Sequence, residues 1–227
     1  MRNEKPVIGI TMGDPASIGP EIAVKALLHA SVHNICRPIL VGDAGVFRDI
    51  VEKMGLAVRI NAIADVEEAA FKWNEPDVLD LGNVDIALLK PGEISAMAGA
   101  AAFEAVKKVI DLAMEGKIDA TVTGPINKKS INEAGHHYAG HTEIYAHFTN
   151  TRKYAMLLVE DQLRVIHVST HVSLRQACDL VKKERIVEVA QLLRNGLQQL
   201  GETNLRIGIA GLNPHAGDSG LFGTEDD

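Results

Sequence analysis

Short runs of apolar and β-branched residues alternate with longer segments of helical pattern along most of the chain. Strands are predicted at 6–11, 38–43, 57–63, 77–82, 118–124, 154–160, 163–169 and 205–210. Helices are predicted from Pro20, over 44–55, over 95–115 and from about 182 to 200. Strands separated by helices of this length predict a largely parallel sheet that is covered on both faces, and therefore an α/β fold.

Local signals refine this pattern. Pro20 suits the first helical position, and Gly55 and Gly116 stand where helices are expected to end. Two runs joined by Asp161 and Gln162 predict a hairpin or adjacent strands. The composition becomes rich in histidine after Gly124-Pro125, so two domains are predicted, 1–125 and 126–227.

Composition excludes several classes of protein. The formal net charge is −7 and aromatic residues make up 4%, which argues against a nucleic-acid partner. Cys36 and Cys178 form no CxxC motif, so a reducing compartment is expected. No signal peptide and no run of about 18 apolar residues is present, so we expect a soluble cytoplasmic protein without membrane contacts.

Polar side chains follow four of the predicted strands. In open α/β sheets, ligands bind outside the carboxyl ends of the strands, so these segments are candidate binding loops: 11–21, 123–128, 170–171 and 211–217. The first is neither GxGxxG nor a Walker loop, and the common role for its Asp14 is to bond its own backbone in a turn. The second contains Lys128, which is a candidate anion contact or, alternatively, an exposed lysine.

The segment Gly140-His141-Thr142-Glu143 predicts the start of a helix. One interpretation makes Thr142 the N-cap, with Glu143 favoured by the helix dipole. The other places a phosphate there, where free N–H groups, a hydroxyl and an imidazole converge.

Seven of the nine histidines lie between positions 136 and 215. His167 and His171 are four apart, but the β-branched residues around them predict a strand, so an HExxH motif does not apply. His171 and His215 each follow a predicted strand and are therefore candidate metal ligands. A structural or surface role for each of them stays open.

Four motifs, taken together, resemble the 4-hydroxythreonine-4-phosphate dehydrogenase family of pyridoxine and pyridoxal phosphate biosynthesis. They are ITMGDPASIGPEI (10–22), TGPINKKSINEAGHHYAGHTE (123–143), VSTH (168–171) and GLNPHAGDSGLFGTE (211–225). VIHVSTHVSLR and GLFG are closer to a sister group that oxidises threonate or erythronate 4-phosphate. The resemblance implies a two-domain α/β/α sandwich similar to isocitrate and isopropylmalate dehydrogenases. It also implies a homodimer with active sites at the subunit interface.

The resemblance also implies site residues and a reaction. His171 and His215 would be two of three histidines that bind zinc, magnesium or cobalt, and His141 and Thr142 would contact the substrate. The reaction would be NAD-dependent oxidation and decarboxylation of a phosphorylated four-carbon hydroxy acid. The products would be 3-amino-2-oxopropyl phosphate from 4-phosphooxy-L-threonine, or dihydroxyacetone phosphate from threonate or erythronate 4-phosphate.

The sequence departs from the family pattern at its C-terminal end. The third metal histidine, the phosphate-holding residues and much of the dinucleotide site belong to a later part of the pattern, which is absent before Asp227. Two alternatives to the dehydrogenase therefore stay open. One is a metal-dependent hydrolase or aldolase that acts on a sugar acid phosphate, and the other is a catalytically inactive fragment. Residues that perform catalysis or bind the dinucleotide are not assigned.

Overall fold

The computed structural model describes residues 5–226. Residues 1–4 and Asp227, at the two ends of the predicted domains, lie outside the described residues. The chain forms two compact units, Met1–Asn150 and Thr151–Asp227.

The first unit contains a parallel sheet, as the sequence predicts. Its strands are β1 (Val7–Thr11), β2 (Arg37–Gly42), β3 (Asn61–Ile63), β4 (Asp77–Asp80) and β5 (Ala120–Val122). Their order across the sheet is β3-β4-β2-β1-β5. Ile8 of β1 pairs with Pro38 of β2 on one side and with Ala120 of β5 on the other.

Helices cover both faces of this sheet, which confirms the α/β prediction. They are α1 (Gly19–Leu27), α2 (Ala30–Ile35), α3 (Ala44–Lys53), α4 (Ala96–Met114), α5 (Lys128–Glu133) and α6 (His141–Phe148). Leu40 of β2 packs in one apolar cluster with α1 and α3. Its neighbours Ile39 and Val41 pack in a second cluster with α4, because successive strand side chains point to opposite faces.

The local signals for the helix ends are confirmed. Pro20 stands in the first turn of α1. The Asp43 carboxylate accepts a hydrogen bond from the Val46 N–H at the start of α3 (3.1 Å), and Gly55, just after that helix, has a φ of +62°. Ser95 caps α4 through its hydroxyl oxygen, which accepts from the Ala98 N–H at 3.2 Å.

The small residues at the start of α4 let another backbone approach closely. A Cβ at Gly99 would collide with the Ser130 carbonyl of α5. A third apolar cluster fills the space between α4, α5 and α6 with Phe103, Val106, Ile110, Ile131 and Ile144. Residues 126–150 therefore pack within the first unit, whereas the domain boundary at 125/126 stays a prediction.

The second unit contains an antiparallel hairpin, as predicted. Its strands are β6 (Leu157–Glu160) and β7 (Leu163–Ile166), with Glu160 paired to Leu163 next to the turn. The helices α7 (Leu174–Leu180) and α8 (Lys183–Gln199) follow.

The predicted strand at 205–210 is wrong. This segment has no regular secondary structure, and none of the described strands pairs with it. Ile207 and Ile209 give the segment strand propensity, but a strand also needs a neighbour for its N–H and C=O groups. Alternation of residue types does not supply that neighbour.

Among residues 5–226, no helix has the length and apolar character needed to span a bilayer.

Candidate functional site

The topology of the first unit creates a crevice at the carboxyl ends of β1 and β5. The sheet grows from β1 through β2 toward β4 and β3, and the chain then returns to place β5 on the other side of β1. Ligands in open α/β sheets bind at such a switch point. The loop 12–18 follows β1 and the loop 123–127 follows β5, so two of the predicted binding loops meet here.

Hydrogen bonds fix these two loops to each other. The Gly124 N–H donates to the Thr11 hydroxyl oxygen at 2.9 Å, and both residues are buried. The Asp14 N–H donates to the Pro125 carbonyl at 2.8 Å. Because these groups are shielded from water, each of the two N–H groups would be costly to leave unpaired.

Glycines make this close approach possible. A Cβ at Gly124 would lie 2.6 Å from the Thr11 carbonyl oxygen. Gly13 has a φ of +72°, and a Cβ there would lie 2.5 Å from the Pro125 carbonyl oxygen. Side chains at these positions would push the loops apart, so the glycines of the two motifs serve loop contact rather than a Walker-type phosphate cradle.

Asp14 has the turn role expected from the sequence. Its side chain is 2% exposed, and one carboxylate oxygen accepts from the Ala16 N–H at 2.8 Å. Its carbonyl accepts from the Ser17 N–H at 3.0 Å. The carboxylate thus shapes the loop that carries it.

A cleft of about 630 Å³ opens beside this loop, which is within the range of small-molecule sites. Its apolar wall includes Ile18, Ile50, Met54, Ile86 and Leu89. Asp14, Glu21, Asp49, Lys53, Glu93 and Asn127 supply polar groups. Glu21 and Asp49 are paired with Lys25 (2.5 Å) and Lys53 (2.6 Å), so their negative charge is partly balanced.

Helix α6 brings His141 and Thr142 to the same unit. Gly140, and not Thr142, is the N-cap residue, so the interpretation of Thr142 as a cap is wrong. The chain enters α6 through extended backbone at Gly140, which places the helix start two residues earlier than a Thr142 cap requires. Lys128 is exposed, as one of the two interpretations expects.

The His141 imidazole has an unusual environment. Its Nε2 atom is buried and has no hydrogen-bond partner among the described residues. Burial lowers the pKa of His141 below its ordinary value of 6.5, and hydrogen bonding to the Gly124 backbone opposes that effect. A neutral ring with an unsatisfied nitrogen is suited to accept or donate one hydrogen bond to a ligand.

The second unit contains both predicted metal ligands. His171 is exposed and has a left-handed backbone with a φ of +58°, a conformation that costs free energy in most residues but is tolerated better by histidine. His215 is exposed, and its ring centroid lies 5.4 Å from that of Phe222. His171 follows β7 as expected, whereas His215 does not follow a strand.

The structure does not complete a metal site. Between residues 5 and 226, no group of three or more His, Cys, Asp or Glu side chains is arranged to hold a metal ion. Catalytic zinc sites use three protein ligands. The assignment of His171 and His215 to one ion therefore stays a prediction.

The loop that carries His215 is closed by its own hydrogen bonds. The Asp226 carboxylate accepts from the Leu212 and Asn213 N–H groups at 2.7 and 2.9 Å. The Asn213 side-chain amide donates to the Phe222 carbonyl at 2.9 Å. These contacts give the exposed loop a defined shape without a hydrophobic core.

Arg185 is a residue that sequence reasoning missed. Its guanidinium donates to the carbonyls of Tyr154 (2.9 Å) and Val168 (3.1 Å), and it also pairs with Glu188. Arg185 thus joins the two chain segments at the open end of the hairpin. Its partner Val168 lies three residues before His171. No local pattern distinguishes such an arginine from others on an amphipathic helix.

Comparison with known proteins confirms the resemblance. A family model described as pyridoxal phosphate biosynthetic protein PdxA matches residues 34–227. A Clostridium botulinum protein provisionally named D-threonate 4-phosphate dehydrogenase is 45% identical over 226 residues, covering 100% of this chain and 68% of the relative. This chain therefore spans about two thirds of that relative's length.

Two solved structures titled 4-hydroxythreonine-4-phosphate dehydrogenase are similar throughout the chain. The protein from Burkholderia phymatum has a TM-score of 0.84 and 42% identity, covering 99% of this chain and 68% of its own. The protein from Klebsiella pneumoniae has a TM-score of 0.88 and 39% identity, covering 100% of this chain and 68% of its own.

The environment of His141 predicts a pH dependence of stability. Since the pKa of His141 is lowered in the folded state, the unfolded chain binds the proton first as the pH falls below about 6.5. The stabilisation is present above that pH and is lost as the pH falls toward the lowered value. We expect His141→Gln to reduce the drop in melting temperature between about pH 7.5 and about pH 5.5.

The matched control is His29→Gln, which replaces an exposed histidine of the same unit and is expected to leave that drop unchanged. Differential scanning calorimetry on the full chain measures both variants. If the melting temperatures of His141→Gln and of the unsubstituted protein had an identical pH dependence, that result would contradict a lowered pKa of His141 in the folded state.

Proposed function

Because the chain belongs to the PdxA family of pyridoxal phosphate biosynthetic proteins, we propose that it is an NAD-dependent dehydrogenase that oxidises and decarboxylates a phosphorylated four-carbon hydroxy acid. The observation that carries this proposal is 45% identity along 226 residues to a relative that is named a dehydrogenase. The crevice at the β1–β5 switch point supports it, because a cleft of suitable size and a neutral imidazole lie in the unit that contains that crevice.

We propose D-threonate 4-phosphate as the preferred substrate. Relatives from Clostridium botulinum, Symbiobacterium thermophilum and Fusobacterium nucleatum carry that substrate in their names. The segments VIHVSTHVSLR and GLFG point the same way. 4-Phosphooxy-L-threonine is the alternative, and it differs in bearing an ammonium group in place of one hydroxyl. Loss of that positive charge changes which protein groups can pair with the substrate.

The proposed reaction has two steps. The substrate hydroxyl loses its proton, and the carbon that bears it transfers a hydride to NAD, which gives a ketone β to the carboxylate. The C–C bond to the carboxylate then breaks, CO2 leaves, and the electron pair is protonated. NAD supplies the hydride acceptor, and the role of this chain's residues is placement and proton handling.

His141 and Thr142 have defined roles in this proposal. The His141 Nε2 atom is unsatisfied within the described chain, and a substrate hydroxyl would satisfy it by donating a hydrogen bond. The Thr142 hydroxyl, on the next residue of α6, would add a second hydrogen bond. Two such contacts fix the orientation of a small substrate, which lowers the entropic part of the barrier.

His171 and His215 are of a suitable type to bind a metal ion, but they are too few to complete a catalytic site. Imidazole nitrogens suit zinc and cobalt, whereas magnesium prefers oxygen ligands. His171 and His215 supply two nitrogens, one fewer than a catalytic zinc site uses. A divalent ion would lower the pKa of the substrate hydroxyl.

The predicted homodimer and cytoplasmic location stay predictions. On one face of the hairpin of the second unit, Leu158, Leu163 and Val165 are exposed by 53%, 64% and 40%. An apolar surface of this kind is suited to a protein partner.

A substrate panel tests the proposal. The protein is supplied with NAD, a divalent ion, and D-threonate 4-phosphate, D-erythronate 4-phosphate or 4-phosphooxy-L-threonine in turn. We expect reduced nicotinamide and CO2 to form in equal amounts, fastest with D-threonate 4-phosphate. Fastest turnover of 4-phosphooxy-L-threonine would reassign the substrate. Phosphate release or C–C cleavage without reduced nicotinamide would replace the dehydrogenase with a hydrolase or aldolase.

The metal assignment has its own test. If His171 and His215 share one ion, His171→Ala and His215→Ala should each abolish stoichiometric zinc or cobalt binding, measured by metal analysis after dialysis. His29→Ala, at an exposed position of the first unit, serves as the control. Unchanged metal content in both single variants would refute the shared site.

A further inference from the structure

A tyrosine hydroxyl links the helix that carries His141 to the edge of the sheet. The Tyr145 O–H of α6 donates to the Thr121 hydroxyl of β5 at 2.7 Å. Both residues are half-buried, so water competes weakly for this bond. The sequence separation is 24 residues, and no motif in the sequence predicts the pairing.

A second link lies one helical turn away. Tyr145 follows His141 by four residues, so the two side chains lie on the same face of α6. The His141 ring interacts with the Gly124 backbone, three residues beyond Thr121. Helix and strand end are therefore joined at two successive points, one formed by the tyrosine hydroxyl and the other by the histidine ring.

The aromatic ring of Tyr145 has a separate role from its hydroxyl. It packs against the apolar cluster under the sheet and against the cluster between α4, α5 and α6. Ile144 beside it is 0% exposed. Burial raises the pKa of Tyr145, so its hydroxyl keeps its proton and stays a donor. Apolar packing thus attaches α6 to the unit, and the hydrogen bond of the hydroxyl restricts how α6 is oriented on β5.

We propose that Tyr145 is a positioning residue, whose hydrogen bond to Thr121 fixes the rotation of α6 on β5 and thereby holds the His141 imidazole in place for the phosphorylated substrate. This proposal rests on the proposed function only in that His141 contacts the substrate. It extends that function to a residue outside the four family motifs.

Small rotations of α6 have large effects at its first residue. A side-chain tip lies about 6 Å from a helix axis, so a rotation of about 10° moves it about 1 Å. A shift of the His141 imidazole of that size would weaken its hydrogen bond to the substrate. Tyr145→Phe keeps the ring packing and removes the directional bond, so it separates orientation from attachment.

The first readout needs no substrate. The pKa of His141 is measured in the full chain by NMR titration of its imidazole C2–H, assigned with His141→Gln. We expect Tyr145→Phe to move this pKa toward the ordinary value, because a freer ring is better hydrated. Thr121→Val should produce the same shift, and the double variant should add no more than either single one.

The second readout is kinetic. We expect Tyr145→Phe to raise KM for the phosphorylated acid by about two- to tenfold, the range of one neutral hydrogen bond, with a smaller change in kcat. Tyr138→Phe is the matched control. Tyr138 is also half-buried and stacks on Phe103 at 5.8 Å, and no hydrogen bond of its hydroxyl is found among the described residues. It should change neither readout.

The outcomes separate the two proposals. An unchanged pKa of His141 in Tyr145→Phe, or an equal shift in Tyr138→Phe, would overturn the positioning role. A shifted pKa of His141 with an unchanged KM would overturn the claim that Tyr145 positions His141 for the substrate. A shifted pKa in a protein whose unsubstituted form turns over no substrate would support the positioning of the ring and overturn the proposed dehydrogenase.

Discussion

The hydrogen bond from the Gly124 N–H to the Thr11 hydroxyl joins the two loops on which the candidate site is built. It holds the carboxyl ends of β1 and β5 close to each other. Gly13 and Gly124 permit the two backbones to approach this closely. Gly124 also interacts with the His141 ring. The position of that imidazole therefore depends on a contact between residues 113 apart in sequence.

Local sequence patterns predicted most of the elements that surround this contact. β-branched runs gave β1 and β2, and Pro20, Asp14 and Gly55 took the roles expected of helix starts, turns and helix ends. These features are governed by neighbouring residues, which the sequence displays directly. The segment 205–210 failed because strand formation also requires a pairing partner, which no local pattern supplies.

In the candidate site, too, the features with local sequence signals were predicted and those formed by distant contacts were not. The motifs placed the loops after β1 and β5 and the start of α6, because turn glycines and strand ends leave local signals. Arg185 and Tyr145 left none: each acts through hydrogen bonds to distant carbonyl or hydroxyl groups. A shared ion between His171 and His215 would also be a non-local arrangement, and it stays a prediction.

Native-state hydrogen exchange of the Gly124 amide tests the contact between the two loops most directly. The account predicts strong protection in the unsubstituted protein and in Thr11→Ser, which keeps the accepting hydroxyl. Thr11→Val, which removes it, should accelerate exchange at Gly124 by about tenfold or more. Rapid exchange in the unsubstituted protein, or an unchanged rate in Thr11→Val, would contradict the claim that this bond holds the site together.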